Sequence, residues 1–176
     1  MNPLTQPHER IRTAVNRARK ALDRMDSVGR GTARTRARIR DGLTCEVADG
    51  PWSFVADMPE KAGGDAQGPD PGVYGRAALA SCLAIGYSMW AAHQGVPIHS
   101  LEVEVEADYD ARPEYGVSDD PPGYKQMRWV VRVESPAPED EVREVLATTE
   151  ARSPFLALFR HPQDVRRQLV INQKED

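Results

Sequence analysis

Sixteen consecutive residues without a charge, Ala77 to Ala92, constrain this chain more than any other stretch. They include Leu79, Cys82, Leu83, Ile85, Met89 and Trp90, and the apolar positions do not keep to one stripe. A helix that is apolar on nearly all sides is buried on nearly all sides. The run is too short, and too interrupted by Ser81, Gly86, Tyr87 and Ser88, for the roughly 20 residues of a membrane span. A central core helix is therefore expected between Gly72 and Gly95, with Pro71-Gly72 before it and Gly95-Val96-Pro97 ending it. Cys82 falls at its middle, and on a buried helix a lone cysteine is either a small apolar filler or a reactive thiol.

Charge is distributed unevenly around that helix. Residues 1–40 hold 11 Lys and Arg against 3 Asp and Glu, and the remainder holds 12 against 24. A basic arm on an acidic body is expected to fold onto its own or a partner's acidic surface. Binding to phosphates would use the same charge. The aromatic interleaving, zinc spacing and recognition-helix pattern of nucleic-acid binders are missing, so nucleic acid is not expected as a partner. No apolar run marks the N-terminus, so neither a signal peptide nor a membrane anchor is expected. Two cysteines, Cys45 and Cys82, make no disulfide framework. A cytoplasmic, reduced protein follows. His8, His93, His99 and His161 lack metal-ligand spacing, and neither metal nor cofactor is expected.

Along the chain, residues 1–7 read as loose. Ile11, Val15, Ala18 and Leu22 share one face of a helix from Glu9 to Met25, which Ser27 to Gly31 breaks. Thr32 to Arg40 alternates, with Arg34, Arg36, Arg38 and Arg40 on one side of a strand. Asp41-Gly42 and Asp49-Gly50 are hairpin turns that join it to strands at Leu43–Ala48 and Trp52–Ala56, a meander. Residues 57–70 form a loop long enough to suggest function or mobility. After the core helix, Leu101, Val103, Val105 and Ala107 alternate with Glu102, Glu104 and Glu106, a strand with one solvated face. Lys125 to Glu134 is its counterpart, with Met127, Trp129, Val131 and Val133 inward. The acids Glu139, Asp140 and Glu141 suit the first turn of a helix that buries Val142, Val145, Leu146 and Thr149. Ser153-Pro154 interrupts it, Phe155–Arg160 adds a further turn or two, and Val165–Ile171 reads as a final strand. Trp52, Trp90 and Trp129 are expected in the core. The fold class is α+β.

The residues then match a known pattern. Leu79–Gly95, the following Ile98-His99-Ser100-Leu101, Pro121-Pro122-Gly123-Tyr124 before a strand, and Ala151-Arg152-Ser153-Pro154 before a short helix occur in an order that resembles the OsmC/Ohr family of thiol-dependent peroxidases. The resemblance spans roughly residues 32 to 171. It implies an OsmC-like domain at residues 32–171, and outside it lie the basic helical extension of residues 1–31 and a polar tail at residues 172–176. It also implies antiparallel sheets wrapped around central core helices in an intertwined homodimer.

The resemblance further implies reduction of organic hydroperoxides. Cys82 matches the attacking cysteine. Arg40, in Arg40-Asp41-Gly42, is similar to the family's activating arginine, with Arg38 as the alternative. The glutamate that holds this arginine has no counterpart: its position falls near Gly72, with Asp70 the nearest acid. The second cysteine is replaced by Ser153, which cannot form a disulfide, so an external thiol would have to restore Cys82. The other reading is a non-catalytic protein of the same fold that binds a hydrophobic small molecule. A third has the basic N-terminal helix docking an acidic partner.

Overall fold

The computed structural model describes residues 5–172 of the chain. Its elements are helix α1 (Thr5–Arg24), strands β1 (Thr35–Asp41), β2 (Thr44–Asp49) and β3 (Trp52–Ala56), helix α2 (Pro71–Gln94), strands β4 (Ser100–Tyr109) and β5 (Tyr124–Glu134), and helices α3 (Glu139–Glu150) and α4 (Pro154–Arg160). The order agrees with the α+β reading. Residues 5–7 are helical rather than loose, and the rest of the expected loose N-terminus, residues 1–4, lies outside the described residues, as does most of the polar tail.

Strand order β1-β2-β3 gives one antiparallel sheet and β4-β5 the other. Gly42 and Gly50 take φ of 50° and 54°, the left-handed values that a tight Asp-Gly hairpin turn demands. In the meander, Ala37, Val47 and Phe54 line up across the strands, as do Ile39, Cys45 and Ala56, so one face is apolar. Arg36 and Arg38 belong to the other face. Sheet β4-β5 places Leu101, Val103 and Val105 opposite Val133, Val131 and Trp129, all turned inward. On its outer face Arg128 pairs with Glu106 and Asp108, and Arg132 with Glu102 and Glu104. These half-exposed pairs each add little to stability, and they make the acidic row the solvated face that the alternation implies.

Helix α2 organises both parts of the core. Asp70 caps its N-terminus, its Oδ1 accepting from Val73 N at 3.0 Å, Pro71 fills the first turn, and Gly95 closes the C-terminus at φ 79°. Leu79, Leu83 and Tyr87 pack with Leu156 under the inner faces of β4 and β5, and Ala91 packs with Val96 and Val145. The expectation of burial on nearly all sides fails along one row. Val73, Ala77, Ser81, Ile85 and Met89, each four residues from the next, are exposed, Ile85 by 61%. Among the described residues no element of the same chain covers them.

Two further expectations are corrected. Val165–Ile171 is not a strand: it pairs with neither sheet, and Val165 and Ile171 are 87% and 71% exposed. Apolar composition favours a strand only where the segment is laid along a sheet edge, and residues 165–171 pair with none of the open edges of the two sheets. Trp52 is not in the core but 75% exposed, because it lies at the end of β3 away from the contact of Phe54 with Tyr74 of α2. Trp90 and Trp129 are half-buried and do pack against the core.

The loop from Asp57 to Asp70 is folded around one carboxylate. Asp57 is buried and accepts from Thr44 Oγ1 (2.9 Å), Met58 N (2.7 Å), Asp65 N (3.3 Å) and Gln67 N (3.1 Å). Burial works to raise its pKa, but the backbone bond from Gln67, the Thr44 hydroxyl and the other N–H donors outweigh it and hold the carboxyl below the usual range. The loop is thereby fixed across β2 and β3 and delivers the chain to the start of α2. Helix α1 lies along the C-terminal half of α2, with Asn16 Oδ1 2.8 Å from His93 Nδ1 and the Arg19 guanidinium 5.4 Å from the centre of the Trp90 ring. Arg152 approaches the same ring at 5.0 Å. Among the described residues no helix is long and apolar enough to cross a membrane.

Candidate active site around Cys82

The last turn of α3 and the chain that follows it run antiparallel to α2 with a fixed register. Cys82 meets Ser153, Gly86 meets Thr149, and Tyr87 meets Glu150. Each contact has its own cause. At Gly86 a side chain would crowd Thr149, since a Cβ there would lie 2.7 Å from Thr149 Cγ2. Tyr87 is fully buried and donates its hydroxyl to Glu150 Oε1 at 3.0 Å. Burial, and then the Glu150 carboxylate, push that phenol well above its ordinary range, so it remains a neutral donor. Pro154 starts α4, and Ser153 caps it by accepting Leu156 N–H at 3.2 Å.

These constraints bring Cys82 Sγ within 3.5 Å of Ser153 Oγ across 71 positions of sequence. Ser153 is buried, at 5% exposure, and Cys82 is half-buried. Two of the residues singled out by sequence are thus joined in one chain. The third is elsewhere. Arg40 is the extra residue of a β-bulge between Ile39 and Asp41, and its guanidinium pairs with Glu46 at 3.0 Å on the exposed face of the meander. Among the described residues of a single chain, the polar partner of Cys82 is a hydroxyl and not a guanidinium. Arg38 lies on the same exposed sheet. Cys45 sits on the meander's apolar face, opposite Ile39 and Ala56, and is not brought to Cys82.

The place where an acid was sought, near Gly72, has a different construction. Arg76 Nη1 donates to Tyr124 OH at 3.2 Å, and that hydroxyl donates to Gly72 O at 3.3 Å. Asp70, the nearest acid, is occupied as the cap of α2. Tyr124 thus ties the end of the Pro121–Gly123 loop to the first turn of the core helix. Sequence reading missed both this link and the Asp57 hub. An acid directly after a strand and before a Gly- and Pro-rich loop was the available signal for Asp57.

The OsmC-like protein family profile matches residues 63–167, well over half of the chain. Solved structures agree in fold. An OsmC-like protein from Mycoplasma pneumoniae is 18% identical, with a TM-score of 0.64, over 74% of this chain and 88% of its own. An organic hydroperoxide resistance protein OsmC from Legionella pneumophila is also 18% identical, with a TM-score of 0.54, over 74% of this chain and 90% of its own. The organic hydroperoxide resistance protein OhrB of Bacillus subtilis is 21% identical, with a TM-score of 0.50, over 74% and 91%. No curated protein matches the chain. With the profile spanning α2, both strands of the second sheet, α3 and α4, and with the fold shared by these structures, the chain belongs to the OsmC-like protein family.

Proposed function

We propose that this protein is a thiol-dependent peroxidase that reduces organic hydroperoxides through Cys82 and is restored by an external thiol. The observation that carries the reading is the 3.5 Å approach of Cys82 Sγ to Ser153 Oγ. The thiol at the attacking position of the family pattern faces the position where that pattern has its second cysteine. The names of the Legionella and Bacillus proteins, both for organic hydroperoxide resistance, support the same chemistry.

In this reaction the Cys82 thiolate attacks the terminal oxygen of R–O–O–H. The O–O bond breaks, the sulfur becomes a sulfenic acid, and the departing alkoxide takes a proton to leave as R–OH. Ser153 has no sulfur with which to condense. A low-molecular-weight monothiol therefore attacks the sulfenic sulfur, water leaves, and a second monothiol releases Cys82 from the mixed disulfide. Two free thiols, Cys45 and Cys82, suit a reducing compartment, the cytoplasm.

The working form in this proposal is a homodimer. The exposed row Ala77, Ser81, Ile85 and Met89 lies beside Cys82 on α2, and Ile39 and Trp52 on the apolar meander face are also exposed. A second copy of the chain would bury both. It is also the remaining way for an arginine, Arg40 by the family pattern, to reach Cys82. In the same reading residues 1–31 are a separate basic extension, and α1 is the part that would dock an acidic partner.

Mass spectrometry after one equivalent of an organic hydroperoxide tests the reading. Oxidation confined to Cys82, with turnover once a monothiol is added, is the expected result. Modification of Cys82 no faster than that of Cys45 overturns it. The Arg40–Glu46 pair favours one alternative, a non-catalytic protein that holds a hydrophobic small molecule; an inert Cys82 with saturable binding of an apolar ligand would establish it.

A further inference from the structure

We propose that Ser153 is more than a silent replacement: its hydroxyl donates a hydrogen bond to the ionised sulfur of Cys82 and so favours the reactive form. The inference rests on the peroxidase reading for its purpose, though not for its measurement. It makes Ser153 a catalytic residue, since its oxygen touches the reacting atom.

The argument is one of donors and acceptors. A serine hydroxyl has one proton to give and two lone pairs. One lone pair of Ser153 is taken by Leu156 N–H at 3.2 Å, which fixes where Oγ sits at the start of α4. Among the described residues the hydroxyl proton has a single candidate acceptor, Cys82 Sγ at 3.5 Å. A neutral Cys82 could itself donate to Oγ. An ionised sulfur has no proton, so the hydroxyl must then be the donor, and a hydrogen bond to a charged acceptor is the stronger of the two. The contact therefore stabilises the charged form more than the neutral one. Water competes weakly, because Ser153 is 5% exposed.

The geometry is held from both sides. Thr149 against Gly86 and Glu150 on Tyr87 set the height of the α3–α4 junction along α2. Pro154 and the capped N–H of Leu156 set the direction of the Ser153 side chain. Arg40, the cation that the family pattern would supply, is engaged with Glu46 within the chain. The hydroxyl is thus the polar group that one chain alone provides to the sulfur.

The test is alkylation of Cys82 by iodoacetamide, followed peptide by peptide by mass spectrometry across a range of pH. Three proteins are compared: the natural chain, Ser153→Gly, and Ser153→Thr. Glycine caps a helix almost as well as serine but has no hydroxyl, and threonine keeps both the cap and the hydroxyl. At about pH 7 the glycine variant should alkylate at Cys82 at least about threefold more slowly, the effect of losing one hydrogen bond to the sulfur. The gap should close by about pH 10, above the ordinary range of a thiol. The threonine variant should match the natural chain, and Cys45 should react alike in all three. Equal rates in the glycine variant at every pH would overturn the inference. So would slowing by one factor at every pH, which reports access rather than ionisation. Hydroperoxide turnover is not read in this experiment. An altered alkylation profile without turnover would remove the peroxidase reading and leave the hydrogen bond, and the reverse result would remove only the hydrogen bond.

Discussion

Ser153→Cys is the sharpest perturbation the structure offers. It places a second sulfur where an oxygen now sits 3.5 Å from Cys82 Sγ. A disulfide needs about 2.05 Å between sulfurs, so the two side chains must close by about 1.5 Å, within reach of χ1 adjustments at both. The bridge would join positions 71 apart. On the chain-entropy account, closing a loop of that length removes about 15 cal/mol/K from the unfolded ensemble, or about 4 kcal/mol at room temperature. Loss of the serine cap of α4 opposes this by about 1 kcal/mol in both redox states. The reduced variant should therefore melt slightly below the natural protein. The oxidised variant should melt roughly 10 °C above its own reduced form, taking about 2–4 °C per kcal/mol for a chain of this size. Thermal melts with and without dithiothreitol read that difference, and intact mass reads the loss of two hydrogens. One equivalent of an organic hydroperoxide should drive the oxidation, yielding alcohol and water. A variant that keeps two free thiols at positions 82 and 153 after an oxidant, or that pairs Cys82 with Cys45 instead, would refute the register described for α2 and the α3–α4 junction.

Other outcomes follow from the same structure. Gly86→Ala should destabilise by about 1 kcal/mol, since overpacking against Thr149 costs about 1–3 kcal/mol and the gain in helix propensity returns about 1; Thr149→Ser in the same chain should restore the melting temperature, and additive effects would show that the two do not touch. Because the folded state holds the Asp57 carboxyl low, its stabilisation is present above the unfolded carboxylate range and is lost as pH falls through the depressed value. Asp57→Asn should therefore be less stable at neutral pH, with the gap narrowing below about pH 4, and parallel denaturation curves across that range would contradict the hub. Ile85→Glu should weaken self-association about a hundredfold or more by setting an unpaired charge in the helix row proposed to meet a second copy; sedimentation showing an unchanged assembly would place the interface elsewhere.

Local signals in the sequence were sufficient for most elements. Asp-Gly pairs fixed both hairpins, strict alternation fixed β4 and β5 together with their inward residues, and three acids in a row marked the first turn of α3. Each of these is decided within a few residues. What failed depended on where distant segments come to lie. Val165, Leu169, Val170 and Ile171 have strand-like composition but are laid along no sheet edge, and Trp52 has core-like chemistry but ends a sheet whose apolar side is only partly covered. The site was half legible. Cys82 and Ser153 could be named separately, but their meeting depends on Gly86, Tyr87 and Pro154, which set a helix register that no motif spells out. Arg40 was legible as a residue type; the bulge that turns it toward Glu46 was not.

Trp90 stands between Arg19 of the N-terminal helix and Arg152, the neighbour of Ser153. The protein thereby carries an optical gauge of its own. If α1 lifts from α2, the indole loses one of its two charged neighbours and gains water, and its emission should move to the red. Titration with any acidic polypeptide that draws α1 away could then be followed without a label, with the other two tryptophans, at positions 52 and 129, held as background by phenylalanine substitution.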